Sequence, residues 1–216
     1  MVKSPEEYFQ QQDFELGATG RGEGFSAAER AFMQKYLGVE EGDILKRIGI
    51  DAGAAVETAT DGEPPLDVII RQEAELQMVA FFLGEQEYTV PSVAVQEVIR
   101  FQTPTRLPAA PAYLAGIINL RGRVTPLVRL RDLLEVQATG ADDDRFIVVC
   151  RRHGLQVGLM IERVHTMYRV SQNDIDWAVE SHLGINVDFV SGLLKAGERL
   201  VGIISVDRIV ESVLKR

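Results

Sequence analysis

An apolar pattern occurs twice along this chain, and that repeat limits what it can fold into more than any other feature. Val79 to Leu83, a turn at Gly84 to Glu87, and Tyr88 to Val90 read as a β-hairpin. Phe146 to Cys150, a turn at His153-Gly154, and Leu155 to Ile161 replay it. Val164, Met167 and Tyr168 then stand 69 residues beyond Val95, Val98 and Ile99. Ser191 to Leu194, a turn at Gly197, and Leu200 to Val206 match Ala115 to Ile118 and Val124 to Leu130 at an offset of 76 residues, with Gly192 on Gly116. Two copies of a four- or five-strand unit predict two similar small β-barrels. Each copy alone is too small for a comfortable core, so the two are expected to share a hydrophobic seam.

The boundaries follow from this texture. Residues 77–216 form the repeated domain, with a first barrel over about 77–140, a second over about 141–205, and an amphipathic helix at 205–215 carrying Val206, Ile209, Val210 and Val213 on one face. Residues 1–76 form an extension, partly disordered with short helices. Met1 to Gly24 is polar and glycine-dotted and reads as disordered. Ser26 and Glu29 have the spacing of a capping box. Phe32, Met33, Tyr36 and Leu37 follow at helical spacing, and Gly38 ends the helix. A second short helix is expected from Glu41 to Ile48, a linker from Asp51 to Pro65, and a third helix from Leu66 to Leu76. The extension has too little apolar mass to fold alone. It either docks on the main domain or acts as a tether, and Phe32 and Tyr36 are its docking residues, on its own barrel or on a partner.

Within the first copy, Leu114 to Leu120 and Val124 to Leu130 flank Arg121-Gly122, which predicts a hairpin with an arginine at its tip. From Arg100 to Arg131 there are also Arg106, Arg123 and Arg129, and no Asp or Glu. On a chain of net charge -9 this is a local basic island. A guanidinium on a rigid turn suits recognition of a carboxylate or of carbonyls on another surface. Glu97, the acid just before the island, is its expected partner, in a groove lined by Val95 and Ile117. Two binding readings arise: a protein adaptor, or a small-barrel nucleic-acid module using Arg100 to Arg131. The overall acidity opposes the second, and only Phe101 and Tyr113 offer stacking faces there.

Enzymatic chemistry finds no support. Neither GxSxG nor a phosphate-binding glycine loop is present, and His153, His165 and His182 lack metal-ligand spacing. No cofactor is expected. Cys150 is the single cysteine, which suits a reducing compartment. With no apolar signal core at the N-terminus and no run long enough to span a bilayer, a cytoplasmic protein without direct membrane insertion is expected.

The segments VQEVI at Val95 to Ile99 and GxxNLRGxxxPxxxLR at Gly116 to Arg131 resemble the CheW family of chemotaxis coupling proteins, with similarity from about Gln77 to the C-terminus. The resemblance implies two interlocked SH3-like β-barrels and a non-enzymatic scaffold. It implies two partners, the cytoplasmic tip of methyl-accepting chemoreceptors and the regulatory domain of a CheA-type histidine kinase, and recruitment to receptor arrays. Carried over by position, it implies receptor contacts at Val95, Glu97, Gly116, Arg121, Phe146, Val164 and Met167. The chain departs from the family pattern at Arg129, where the family usually carries an acid, and in its long extension.

Overall fold

The computed structural model describes residues 25–38, 63–108, 110–136, 144–177 and 187–215. The expectations for Met1 to Gly24, for the helix at Glu41 to Ile48 and for His182 lie outside those residues. Eleven strands run in chain order: β1 (Glu75–Leu83), β2 (Gln86–Pro91), β3 (Val95–Arg100), β4 (Leu114–Leu120), β5 (Arg123–Arg129), β6 (Phe146–Arg152), β7 (Leu155–Ile161), β8 (Arg163–Ser171), β9 (Ile175–Asp176), β10 (Val190–Ala196) and β11 (Arg199–Ile204). Four α-helices accompany these eleven strands among the described residues: α1 (Ala27–Leu37), α2 (Leu66–Gln72), α3 (Leu130–Leu133) and α4 (Val206–Leu214).

The strands form two sheets, ordered β8-β1-β2-β11-β10-β9 and β3-β6-β7-β5-β4. The sequence repeat explains this order. It maps β1 and β2 onto β6 and β7, β3 onto β8, and β4 and β5 onto β10 and β11. The pairings respect the map: β1 lies antiparallel to β8 as β6 lies to β3, and β2 runs parallel to β11 as β7 runs to β5. Each sheet therefore takes its central hairpin from one half of the sequence and its flanking strands from the other, and the two barrels interlock. Neither half can complete a sheet without the other, which is how the expected shared seam is realised.

Burial follows strand position. β7 is covered on both faces, and all seven of its residues are buried. Edge strand β3 alternates half-buried and exposed residues along its whole length, the pattern of a strand with one face in water. The β3 end of the second sheet curls round to the β4 end. Thr105 and Ile117 exchange backbone hydrogen bonds of 2.8 and 2.9 Å across the gap. Gly116 makes this closure possible. It has φ of +144°, and a Cβ there would stand 2.2 Å from the Thr105 carbonyl oxygen.

Cys150 lies in β6 with no solvent exposure, and burial pushes its thiol up to about 12. A thiolate is the reactive species. Native protein should therefore resist an aromatic disulfide reagent, and labelling should occur at the rate of unfolding. Rapid labelling of fully native protein would contradict this packing.

The two described helices of the extension dock on the chain's own domain. Ser26 and Glu29 make the reciprocal capping box, and Gly38 closes α1 with φ of +61°, as the spacing predicts. Phe32 and Met33 enter the main core. Lys35 Nζ and Tyr36 Oη donate to the Val213 carbonyl at 2.9 and 3.2 Å, holding α1 to the end of α4. The helix expected from Leu66 to Leu76 ends earlier, at Gln72. Glu75 and Leu76 already pair with Ser171 and Val170 of β8. Gln172 Nε2 donates to the Ile70 and Glu73 carbonyls and so satisfies the helix end where the strand takes over. The apolar face of α4 is buried at Val206, Ile209, Val210 and Val213, as its period requires.

Candidate functional site

The β4–β5 hairpin turns at Arg121-Gly122, with φ of +54° and +81°. Both central residues are left-handed, the geometry that matches the twist of a two-residue hairpin. Asn119 Oδ1 accepts from the Gly122 amide at 2.9 Å and braces the turn. Arg121 projects from it with its side chain 77% exposed, and its Nη2 donates to Glu97 Oε2 at 2.9 Å. The sequence-based pairing of these two residues is therefore realised. Because β3 and β4 stand at opposite ends of their sheet, the pair also spans the barrel closure. Water reaches both partners, so it adds at most about 1 kcal/mol to the fold. The guanidinium keeps most of its surface for another molecule.

The expected lining of the groove needs one correction. Ile117 is 3% exposed and belongs to the core, because its strand faces inward where it bridges Thr105. The exposed apolar residues of this part of the chain are Val98, which faces the opposite side of β3 from Glu97, and Phe101 just past the strand end. Val95 is half-buried. Gly116 is buried beneath Thr105, so it shapes the hairpin root and offers no side surface of its own.

Phe146, Val164 and Met167 lie towards the other sheet. The Phe101 amide donates to the Arg145 carbonyl, the Arg145 amide to Ile161, and the Glu162 amide to Phe82, which pairs with Arg163. This relay joins the end of β3 to the start of β8 through the ends of β6 and β7. Half-buried Phe146 lies in this region, across from Arg100 on β3 and Ile161 on β7, and Val164 on β8 is exposed. Met167 follows on β8, also exposed. By strand register Val95 and Phe146 share one face of the second sheet and Glu97 the other, while Val164 and Met167 are exposed on β8 of the first sheet.

The β8 side is held by a cluster that residue spacing did not reveal. Glu87, on β2, is buried. Its Oε1 meets His165 Nδ1 at 2.7 Å and accepts from Tyr168 Oη at 2.9 Å. Arg199 Nη1 lies 2.9 Å from the other oxygen without hydrogen-bond alignment. Burial, and then the bond to Glu87, pushes the Tyr168 phenol up. An acid placed among the apolar residues of a hairpin was the available signal.

The arginines of the basic island do not form a single uncompensated strip. Arg121 meets Glu97, Arg123 meets Glu29, Arg131 meets Glu162, and Arg129 donates to the Ala112 carbonyl. Arg131 and Arg129, the second at the position where the resemblance implies an acid, both act on half-buried Asp144. Burial pushes that carboxyl up while the two guanidinium groups pull it down. A local acid thus answers the reversed charge.

Residues 77–214 match the CheW-like domain model. The chemotaxis protein CheW of Helicobacter pylori is 34% identical over 139 residues, covering 64% of this chain and 84% of that protein. CheW of Rhizobium meliloti is 31% identical over 136 residues, covering 63% and 88%. The crystal structure of a CheW scaffolding protein from Thermoanaerobacter tengcongensis superposes with a TM-score of 0.56 at 28% identity, covering 61% of this chain and 89% of that one. The repeat, the interlocked sheets and the braced arginine hairpin agree with these matches, and the chain belongs to the CheW-like domain family of chemotaxis scaffolding proteins.

Proposed function

We propose that this chain is a non-enzymatic scaffold that couples a chemoreceptor to a CheA-type histidine kinase in bacterial chemotaxis. The helical cytoplasmic tip of a methyl-accepting receptor would lie from β3 to β8. Its apolar residues would meet Phe101, Val164 and Met167, and an acceptor on it would meet Arg121. The kinase regulatory domain would bind elsewhere on the barrels, and the signal would pass as a change in the relative placement of the two partners. One observation carries the reading: a guanidinium held on a rigid turn, oriented by Glu97 and otherwise open to another molecule. Among the described residues no helix is long and apolar enough to cross a membrane, which fits action at the cytoplasmic part of a receptor in an array.

Interface charges set register and partner choice more than stability. Arg121→Glu should therefore weaken binding of a receptor-tip fragment by about ten-fold or more while leaving the melting temperature within a few degrees. Titration calorimetry and thermal unfolding of the same variant check both halves. Wild-type affinity in the variant would reject this site.

A further inference from the structure

Helix α1 touches the hairpin that carries Arg121. Its Glu29 is buried, and Arg123 Nη1 lies 3.2 and 3.4 Å from the two carboxylate oxygens. Arg123 begins β5, two residues past Arg121 and directly across from Leu120. The same carboxylate accepts from the Ser26 amide at 2.8 Å, and Ser26 Oγ donates to the Gly154 carbonyl at 2.6 Å. The start of α1 is therefore bonded at once to the first β5 residue, beside the turn of the β4–β5 hairpin, and to the β6–β7 turn. The hairpin tip thus has two acid partners, partly exposed Glu97 on Arg121 and buried Glu29 on Arg123. Only the second comes from outside residues 77–214, the part of the chain that the family model covers.

We propose that α1 is a positioning element for the receptor-contact hairpin, with Glu29 as its positioning residue, so that receptor affinity depends on whether α1 is docked. The role in receptor affinity rests on the function proposed above; the mechanical coupling of α1 to the hairpin does not. An 11-residue helix is marginal in isolation. Here it is completed by Phe32 and Met33 in the core and by the carbonyl bonds from Lys35 and Tyr36. Its docking and its folding are thus one event. When it is docked, the Glu29 carboxylate fixes the Arg123 guanidinium, the β5 end of the hairpin, and with it the direction in which Arg121 projects. When it is undocked, that restraint is gone while the sheet pairing of β5 with β7 remains. Any partner that competes for α1 would then change how the receptor is gripped.

The test uses the full chain and two variants that weaken the contact differently. Glu29→Gln keeps the side-chain shape and the acceptor for Ser26 but removes the charge facing Arg123. Phe32→Ala loosens α1 from the core and leaves both charged groups in place. Amide exchange of the free proteins should speed up at Leu120 to Val124 in both variants, by roughly ten-fold. Affinity for a chemoreceptor-tip fragment should fall by about five-fold or more, the range typical of coupled sites. Coupling is reciprocal, so saturating wild-type protein with that fragment should slow exchange within Ala27 to Leu37. A lower melting temperature with unchanged hairpin exchange would make α1 a structural brace only and overturn the proposal. Faster hairpin exchange with unchanged affinity would overturn its link to binding. An Arg121→Glu control separates the two ideas. If that variant binds normally, the receptor site itself is misplaced, while the exchange data still decide whether α1 positions the hairpin.

Discussion

Gly116→Val should cost the domain about 3 kcal/mol or more and leave little folded protein at 37 °C. Two effects add at this residue. A Cβ would meet the Thr105 carbonyl oxygen at 2.2 Å and its carbon at 2.8 Å, and both are backbone atoms that cannot rotate away. The φ of +144° is also one that a β-branched residue rarely adopts. Overpacking costs roughly 1–3 kcal/mol and a forced backbone conformation a similar amount. To relieve the clash, the Thr105–Ile117 bridge would have to open, and that bridge closes the second sheet. Denaturant unfolding of purified variant measures the loss. Gly122 supplies the comparison: its φ of +81° is unfavourable for other residues, but nothing lies within 4 Å of a Cβ there. Gly122→Ala should cost only about 1 kcal/mol. Equal losses in the two variants would mean that close approach at Thr105 is unimportant. The result also bears on how Gly116 serves binding. A receptor-binding defect at this position would follow from the loss of hairpin geometry and not of a contact surface.

The repeat made most of the fold legible before any coordinates. Glycines at 116 and 192 and apolar positions matched at an offset of 69 and then of 76 residues are fixed by pleat and turn, which are local properties, so they survive in sequence. The interlocking of the sheets needed structure, because strand order depends on which edges meet across long separations. Arg121 and Glu97 could be paired on paper since the turn presents one and β3 the other. Ile117 was misplaced for a related reason. Alternation marks a strand but not which of its faces the curled sheet encloses, and the Thr105 bridge turns that residue inward. Glu29, Glu87 and Asp207 were missed as buried acids. Each lies where a one-dimensional pattern reads a cap, a turn flank or a helix first turn, and only the partner from a distant segment explains its burial. Leu66 to Leu76 looked helical throughout because its apolar spacing permits both elements, and pairing with β8 decides for the strand at Glu75.

Asp207→Ala should destabilise the protein by about 3–5 kcal/mol and free residues 63–72 from the domain. Asp207 opens α4 and is 6% exposed. Its Oδ1 accepts from Arg152 Nε at 2.7 Å, and the Leu66 amide donates to its other oxygen. The Arg152 guanidinium in turn bonds Glu63 and, at 2.7 Å, the Pro64 carbonyl. His153 closes the group, its amide donating to Glu63 at 3.0 Å and its Nε2 standing 3.2 Å from Asp207 Oδ1. One network, buried at Arg152 and Asp207, therefore joins the end of β6 and the β6–β7 turn to the start of α2 and the start of α4. Truncating Asp207 leaves a buried guanidinium without the more buried of its two carboxylate partners and strips the first α2 amide of its acceptor, and each loss carries a desolvation cost. Proteolysis and amide exchange should show α2 opening well before the barrels. Asp207→Asn, which keeps both acceptor geometries in part, should lose less. The decisive comparison is the paired replacement Arg152→Met with Asp207→Leu. A buried ion pair exchanged for apolar residues of similar volume often costs little, so the double variant should regain much of the stability that Asp207→Ala loses while α2 stays loosened, since its amide acceptor is still missing. If the double variant were no more stable than the single one, the loss would come from packing around α4 and not from an uncompensated charge.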